Sequence, residues 1–169
     1  MAIAIAVALC GGLALAQPAP VLQAKIGIRI LDFLVDPGDR ANVAVLYDRD
    51  NADSLRDADA MLHAFQDSAA LAHSRFQPRL VERHALRQEK DFKAVVVGRF
   101  IADPDDEIVG YGIANHTLVL STGLDCVRRR QCGVGVAAEP EVEIAVCPDL
   151  IRKSGISFAD GFQLMAREF

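Results

Sequence analysis

The sequence predicts an α/β fold: a single-domain sandwich in which a mixed, mostly parallel sheet is flanked by helices. Three observations carry that prediction. Short apolar runs recur along the chain, as at Asn42–Tyr47 and Lys93–Gly98, the pattern of strands buried on both faces. Between them lie segments whose apolar residues recur at helical spacing. Strands alternating with helices put successive strands side by side in parallel. The length of 169 residues allows one ordinary domain.

The elements follow in order. Residues 21–35 (VLQAKIGIRILDFLV) carry a helical stripe of Leu22, Ile26, Ile30, Phe33 and Leu34. Ile26, Ile28 and Ile30 also alternate as in a strand, and length favours the helix. Pro37-Gly38 breaks it. Asn42–Tyr47 is a buried strand, and Asp48-Arg49-Asp50-Asn51 a turn and cap. From Ser54 on, Leu55, Ala58, Leu62, Phe65 and Ala69 mark the clearest helix. Residues 78–83 and Lys93–Gly98 read as the next two strands. Asp103-Pro104 reads as a cap with proline in the first turn of a helix over 104–114. His116–Ser121 is a fourth strand. Residues 134–138 and 142–147, split by Glu139-Pro140-Glu141, read as a hairpin that makes the sheet mixed. Pro148-Asp149 opens a helix that ends at Gly155, and 159–167 is expected to form a last one.

Residues 1–16 (MAIAIAVALCGGLALA) stand apart from this domain, 17–169. All 18 basic and 23 acidic residues lie beyond them. An apolar run ending in Ala14-Leu15-Ala16 fits a secretory signal peptide cleaved before Gln17, although no Lys or Arg precedes it. A membrane anchor is the rival, but the run is shorter than the roughly 20 residues a span needs. Leu9 is too large to precede a lipidated Cys10. The expected location is the periplasm. The net charge of −5 argues against nucleic acid as the main partner.

Export changes the cysteine arithmetic. Of four cysteines, Cys10 leaves with the signal, and Cys126 and Cys132 are the natural disulfide in an oxidising compartment. The loop CVRRRQC also holds Arg128-Arg129-Arg130, a basic cluster on an acidic chain. A tethered basic loop loses little entropy on binding, so these arginines are a candidate contact for an acidic partner or an anionic membrane surface. Cys147 sits in an alternating strand pattern and reads as a buried free thiol.

Catalytic patterns are sparse. His63, His73, His84 and His116 show no metal-site spacing, and C-x5-C is not a zinc-knuckle spacing. Gly155-Ile156-Ser157-Phe158-Ala159 lacks the last glycine of a nucleophile elbow. Gly133-Val134-Gly135 has no third glycine and no following helix for a dinucleotide. The acids of Asp103–Glu107 suit a helix's first turn, and Asp48, Asp50 and Asp53 lack the glycine and distal glutamate of a calcium loop. No enzyme activity, cofactor or metal is expected.

Read in order, several blocks resemble the YfiR family of exported proteins. They are Lys25–Phe33 with Pro37, Val43–Asp48, the pair Ala94–Gly98 and Thr117–Ser121, and Val142-Glu143-Ile144 with Asp149-Leu150 and Gly155–Phe158. The resemblance covers most of 21–168. It departs where the family usually has Trp-Pro, since this chain has Asp36-Pro37 and no Trp. It departs again where the family often has Asn after the Glu-Ile strand, at Ala145–Cys147. The resemblance implies a periplasmic, non-catalytic regulator that represses an inner-membrane diguanylate cyclase, or a related sensor, by binding its periplasmic portion. That binding would govern cyclic diguanylate and biofilm. It also implies a regulatory role for Cys126 and Cys132.

Function is therefore expected to be protein–protein regulation, with a homodimer as a further partner state and no membrane span after signal cleavage. The alternative is a periplasmic small-solute-binding module of a transport or sensing system. Val43–Asp48 followed by the 54–71 helix is similar to half of a two-lobed binding protein. A hydrolase or thiol enzyme is the third class.

Overall fold

The computed structural model describes residues 19–71, 75–103 and 106–169. The proposed signal, its cleavage site and Cys10 lie outside the described residues, as do His73, Pro104 and Asp105. The helices are α1 (Ala19–Asp32), α2 (Ala52–Leu71), α3 (Glu107–Ala114), α4 (Asp125–Arg128) and α5 (Pro148–Lys153). The strands are β1 (Ala41–Tyr47), β2 (Phe76–Glu82), β3 (Phe92–Val97), β4 (Leu118–Ser121), β5 (Val134–Ala137), β6 (Glu143–Val146) and β7 (Arg167–Glu168).

One seven-stranded sheet runs in the order β2-β1-β3-β4-β5-β6-β7. β2, β1, β3, β4 and β5 are mutually parallel. β6 returns antiparallel through the expected hairpin, and β7 lies parallel to β6. The strand period of two divides the core cleanly. Val43, Val45, Ala94, Val96, Leu118 and Leu120 face one side, where they meet Ile28 and Leu31 of α1 and Met61 and Phe65 of α2. Ala44, Leu46, Val95, Val97 and Val119 face the other, against Leu86, Ile108, Val109, Val127 and Leu150. Both faces are covered, which explains why β1, β3 and β4 read as continuous apolar runs. α1 and α2 approach closely at Gly27, where an added Cβ would lie 2.7 Å from the Phe65 ring.

The two rims of the sheet differ. β2 is one outer strand, and Pro78 sits in its middle, paired in register with Val43. β7 is the other and is only two residues long.

Four expectations need correction. The expected helix over 159–167 is instead a 3₁₀ turn at Phe162–Leu164 followed by β7. Only Phe162 anchors the turn in the core, while Leu164 is 92% exposed. The sheet takes the following backbone, with the Phe169 amide donating to the Val146 carbonyl (3.0 Å). The helix expected from 104 begins at Glu107, after Asp106 in a left-handed conformation (φ 54°). Asp103 still serves the first turn from a distance, its Oδ2 accepting from the amides of Ile108 (3.0 Å) and Val109 (3.4 Å). On α2 the buried stripe passes through Met61 and leaves Leu55 exposed. The fourth strand starts at Leu118, because His116 has φ 52°.

Asp103→Ala removes the acceptor for two first-turn amides. It should lower the unfolding free energy by about 1 kcal/mol, read from the urea midpoint at unchanged slope. An unchanged midpoint would deny Asp103 that role.

Candidate functional site

The strand order carries the location of the site. From β1 the chain goes outward to β2, then passes back across β1 to β3. Loops leaving β1 and β3 therefore diverge and open a crevice at the carboxyl ends of the strands, the place where ligands bind in sheets of this order.

The residues there are fixed by local chemistry. After β1, Asn51 caps α2, its Oδ1 accepting from the amides of Asp53 (3.0 Å) and Ser54 (3.2 Å). Buried Ser54 accepts in turn from the Asp48 amide (3.0 Å). One turn on, Asp57 points back over the end of β3. Its side chain is only 9% exposed. A Cβ on Gly98 would lie 2.6 Å from Asp57 Oδ2, so the carboxylate can sit there only because residue 98 has no side chain. The next residue, Arg99, donates from Nε and Nη2 to the same oxygen, Oδ1, at 3.3 Å each. Arg99 is 67% exposed and lies along the Phe100 ring, 5.1 Å from its centre.

A second wall comes from α1 and β5. Gln23 Nε2 donates to the carbonyls of Thr122 (2.8 Å) and Val136 (3.4 Å), tying α1 to the ends of β4 and β5. Pro20, Gln23, Asp57, Arg99, Thr122 and Ala137–Glu139 enclose a hollow of about 190 Å³. Arg99 also borders a shallower groove of about 540 Å³ with Phe100–Asp103, Arg129 and Gln131.

A larger hollow of about 520 Å³ lies at the opposite, amino-terminal edge, beside Val146 and α5. The stacked rings of Phe158 and Phe162, 4.0 Å apart, line it with Ile151 and Ile156. Its basic residue, Arg152, is already held by Asp149. Polar groups converge at the carboxyl edge, so we place the functional site there despite the smaller volume.

The residues singled out in the sequence fall as follows. Cys126 and Cys132 form the disulfide, with Cα atoms 5.3 Å apart, and Cys147 is a buried free thiol. Arg128, Arg129 and Arg130 are all exposed but do not form one patch. Arg128 donates to Asp125 (3.1 Å) and lies 5.6 Å from the Phe169 ring, which Arg167 also approaches. Arg129 donates to Gln131 (3.1 Å) and lines the groove beside Arg99. Arg130, at φ 58°, turns toward Asp149 (3.9 Å). Of the three, Arg129 alone lines the groove next to the candidate site.

The histidines stay apart. His63 lies 3.7 Å from Asp59, His84 accepts from Arg83 (3.1 Å), and His116 contacts the Ser154 carbonyl (3.0 Å). Among the described residues no group of three or more metal-ligating side chains comes together. None of their helices is long and apolar enough to cross a membrane. Two shifted titrations lie away from the crevice. The Arg79 guanidinium donates to both oxygens of Glu89 (3.4 and 2.7 Å) and holds its carboxyl below the usual range. Burial raises the Tyr111 phenol, which donates to the Glu89 carbonyl (3.3 Å).

Sequence reasoning missed Gln23, Asp57, Arg99 and Thr122. Each is a lone polar residue in no motif. The one available signal was position, since Gly98-Arg99 directly follows a fully apolar strand.

No protein-family model matches the chain, and no curated protein matches it in sequence. Solved structures share its fold. A conserved domain protein from Vibrio cholerae O1 biovar El Tor superposes at TM-score 0.56 and 11% identity, over 86% of this chain and 59% of that one. An ABC domain from Streptococcus pneumoniae in complex with L-Trp gives 0.58 and 11%, over 86% and 60%. The ligand-free, open structure of CD0873, a substrate-binding protein with adhesive properties from Clostridium difficile, gives 0.54 and 10%, over 76% and 54%. The chain thus spans less than two thirds of each neighbour's length. At such identity the likeness is one of fold.

Proposed function

We propose that the chain is an exported, non-enzymatic, single-lobe module that binds a small polar solute at the carboxyl ends of its strands. The observation that carries this reading is the convergence of Gln23, Asp57, Arg99 and Thr122 on one hollow beside the β1/β3 crossover. A few fixed polar groups in a concave wall are what small-molecule recognition needs. The bound L-Trp and the substrate-binding role named for two fold neighbours support it.

The test is a solution titration with small polar solutes, followed by amide NMR. Signals of Gly98, Arg99, Thr122 and Ala137 should move for a solute that binds. Movement confined to residues 155–163 would relocate the site to the opposite edge. No movement for any solute would remove the reading.

A second reading keeps the regulatory role implied by the YfiR resemblance, with the periplasmic portion of an inner-membrane diguanylate cyclase or sensor as partner. The observation favouring it is the exposed, disulfide-tethered arginine loop, since Arg129 borders the solute hollow's neighbouring groove. A partner resting there would feel what occupies the crevice. Capture of a membrane signalling protein from detergent-solubilised inner membrane, lost in a triple Arg128→Ala, Arg129→Ala, Arg130→Ala variant, is the expected result. Equal capture by both proteins removes the arginines from the contact.

A further inference from the structure

The chemistry of the hollow narrows the solute to one class. This step rests on the solute-binding reading above. We infer that the ligand carries a primary ammonium with a carboxylate beside it, as a free amino acid does, the ammonium seated on Asp57 and the carboxylate on Arg99.

Acceptors dominate the enclosed wall. Asp57 and the exposed Glu139 are its acidic lining residues. Gln23 spends its amide nitrogen on two backbone carbonyls, so the group it can still offer a ligand is its Oε1, an acceptor. Against these stands one cation, Arg99. The formal balance of the lining is thus one negative charge in excess. An ammonium presents three donors from one atom and carries the positive charge that offsets the excess, which a neutral sugar does not supply and a bare anion would increase.

Asp57 has an oxygen, Oδ2, to offer a donor, since Arg99 contacts Oδ1. Its side chain is more than nine-tenths buried, yet its charged partner is an exposed arginine that touches a single oxygen through long contacts. A buried carboxylate is costly unless well partnered. Arg99 sits on a solvent-facing stem and can turn from Asp57 toward a ligand carboxylate, while the ammonium replaces it on Asp57. The guanidinium matches a carboxylate in a two-point fork. A hollow of about 190 Å³ has room for roughly six waters, which is the scale of an amino-acid head group. Side chains would extend outward into the groove beside Phe100, where L-tryptophan and L-alanine should differ.

The experiment is isothermal titration and thermal shift on the intact protein with L-alanine, L-tryptophan, ethylamine, propionate and glucose, each up to 10 mM. The amino acids should bind and raise the melting temperature, ethylamine should bind more weakly, and propionate and glucose should do neither. Asp57→Asn should weaken amino-acid binding at least tenfold. Arg99→Ala should remove the advantage of alanine over ethylamine, while ethylamine, which no longer has to displace the guanidinium from Asp57, should bind at least as well as to the unchanged protein. Arg99 is exposed, so its variant reports on the ligand even if Asp57→Asn were to unfold. Binding of propionate or glucose without the amino acids would overturn the ligand class and leave the solute-binding reading standing. Binding of none of the five, together with none in the wider titration, would overturn both.

Discussion

Phe65→Ala is expected to lower the unfolding free energy by about 3–5 kcal/mol, the scale of emptying an aromatic position in a packed core. Phe65 is among the largest fully buried side chains. Its ring rests against the bare backbone of Gly27 and close to Leu120, so it joins α2, α1 and the sheet at one point. Truncation leaves a cavity between two helices whose spacing is set by that ring. With total stabilities of roughly 5–15 kcal/mol, the variant should lose about a fifth of its stability or more. Urea unfolding followed by circular dichroism gives the number directly. A loss below about 1 kcal/mol would mean that the helices close over the gap or that the ring is not packed as described. The site sits on the same two helices: Gln23 is on α1 and Asp57 on α2. Weakened solute binding should therefore accompany the loss of stability.

Breaking the Cys126–Cys132 bridge should cost less, on the order of 2 kcal/mol, since the closed loop is short and the chain-entropy effect grows with loop length. Reduction of the folded protein should lower the melting temperature, and Cys126→Ala with Cys132→Ala should reproduce the reduced value. Alanine is preferred because Cys132 is fully buried and a serine hydroxyl there would lack water. A thiol count on denatured, non-reduced protein beginning at Gln17 should find one thiol, Cys147. Three would show that the bridge does not form in solution. The bridge spans α4 and fixes where Arg129 meets the groove, so binding should be affected through the loop rather than through the core.

Much of the architecture was legible because burial wrote it into the composition. β1, β3 and β4 are covered on both faces, and their runs of Val, Leu and Ala leave no other reading. The 139–141 break gave the hairpin, and Pro148 gave the start of α5. The tail was not legible. Phe162, Ala166 and Phe169 are spaced as a helix would space them. What decided against it was the free rim of β6, a long-range fact that local spacing does not encode. Asp103 shows the same limit, because its capping role survived while the helix start moved. The site was the least legible part. Asp57 looks like one more charge on a solvated helix, and its burial follows only once Gly98, far along the chain, is seen beneath it.

The rims of the sheet bear on how this protein can meet others. A visiting strand at β2 would find Pro78, which offers no N–H at the centre of the rim. One arriving at β7 would find two residues to pair with. Both features blunt the borders of the sheet against edge-to-edge pairing of copies, the usual route from an open sheet to fibres. Such borders favour association through loops and helix faces over the addition of strands.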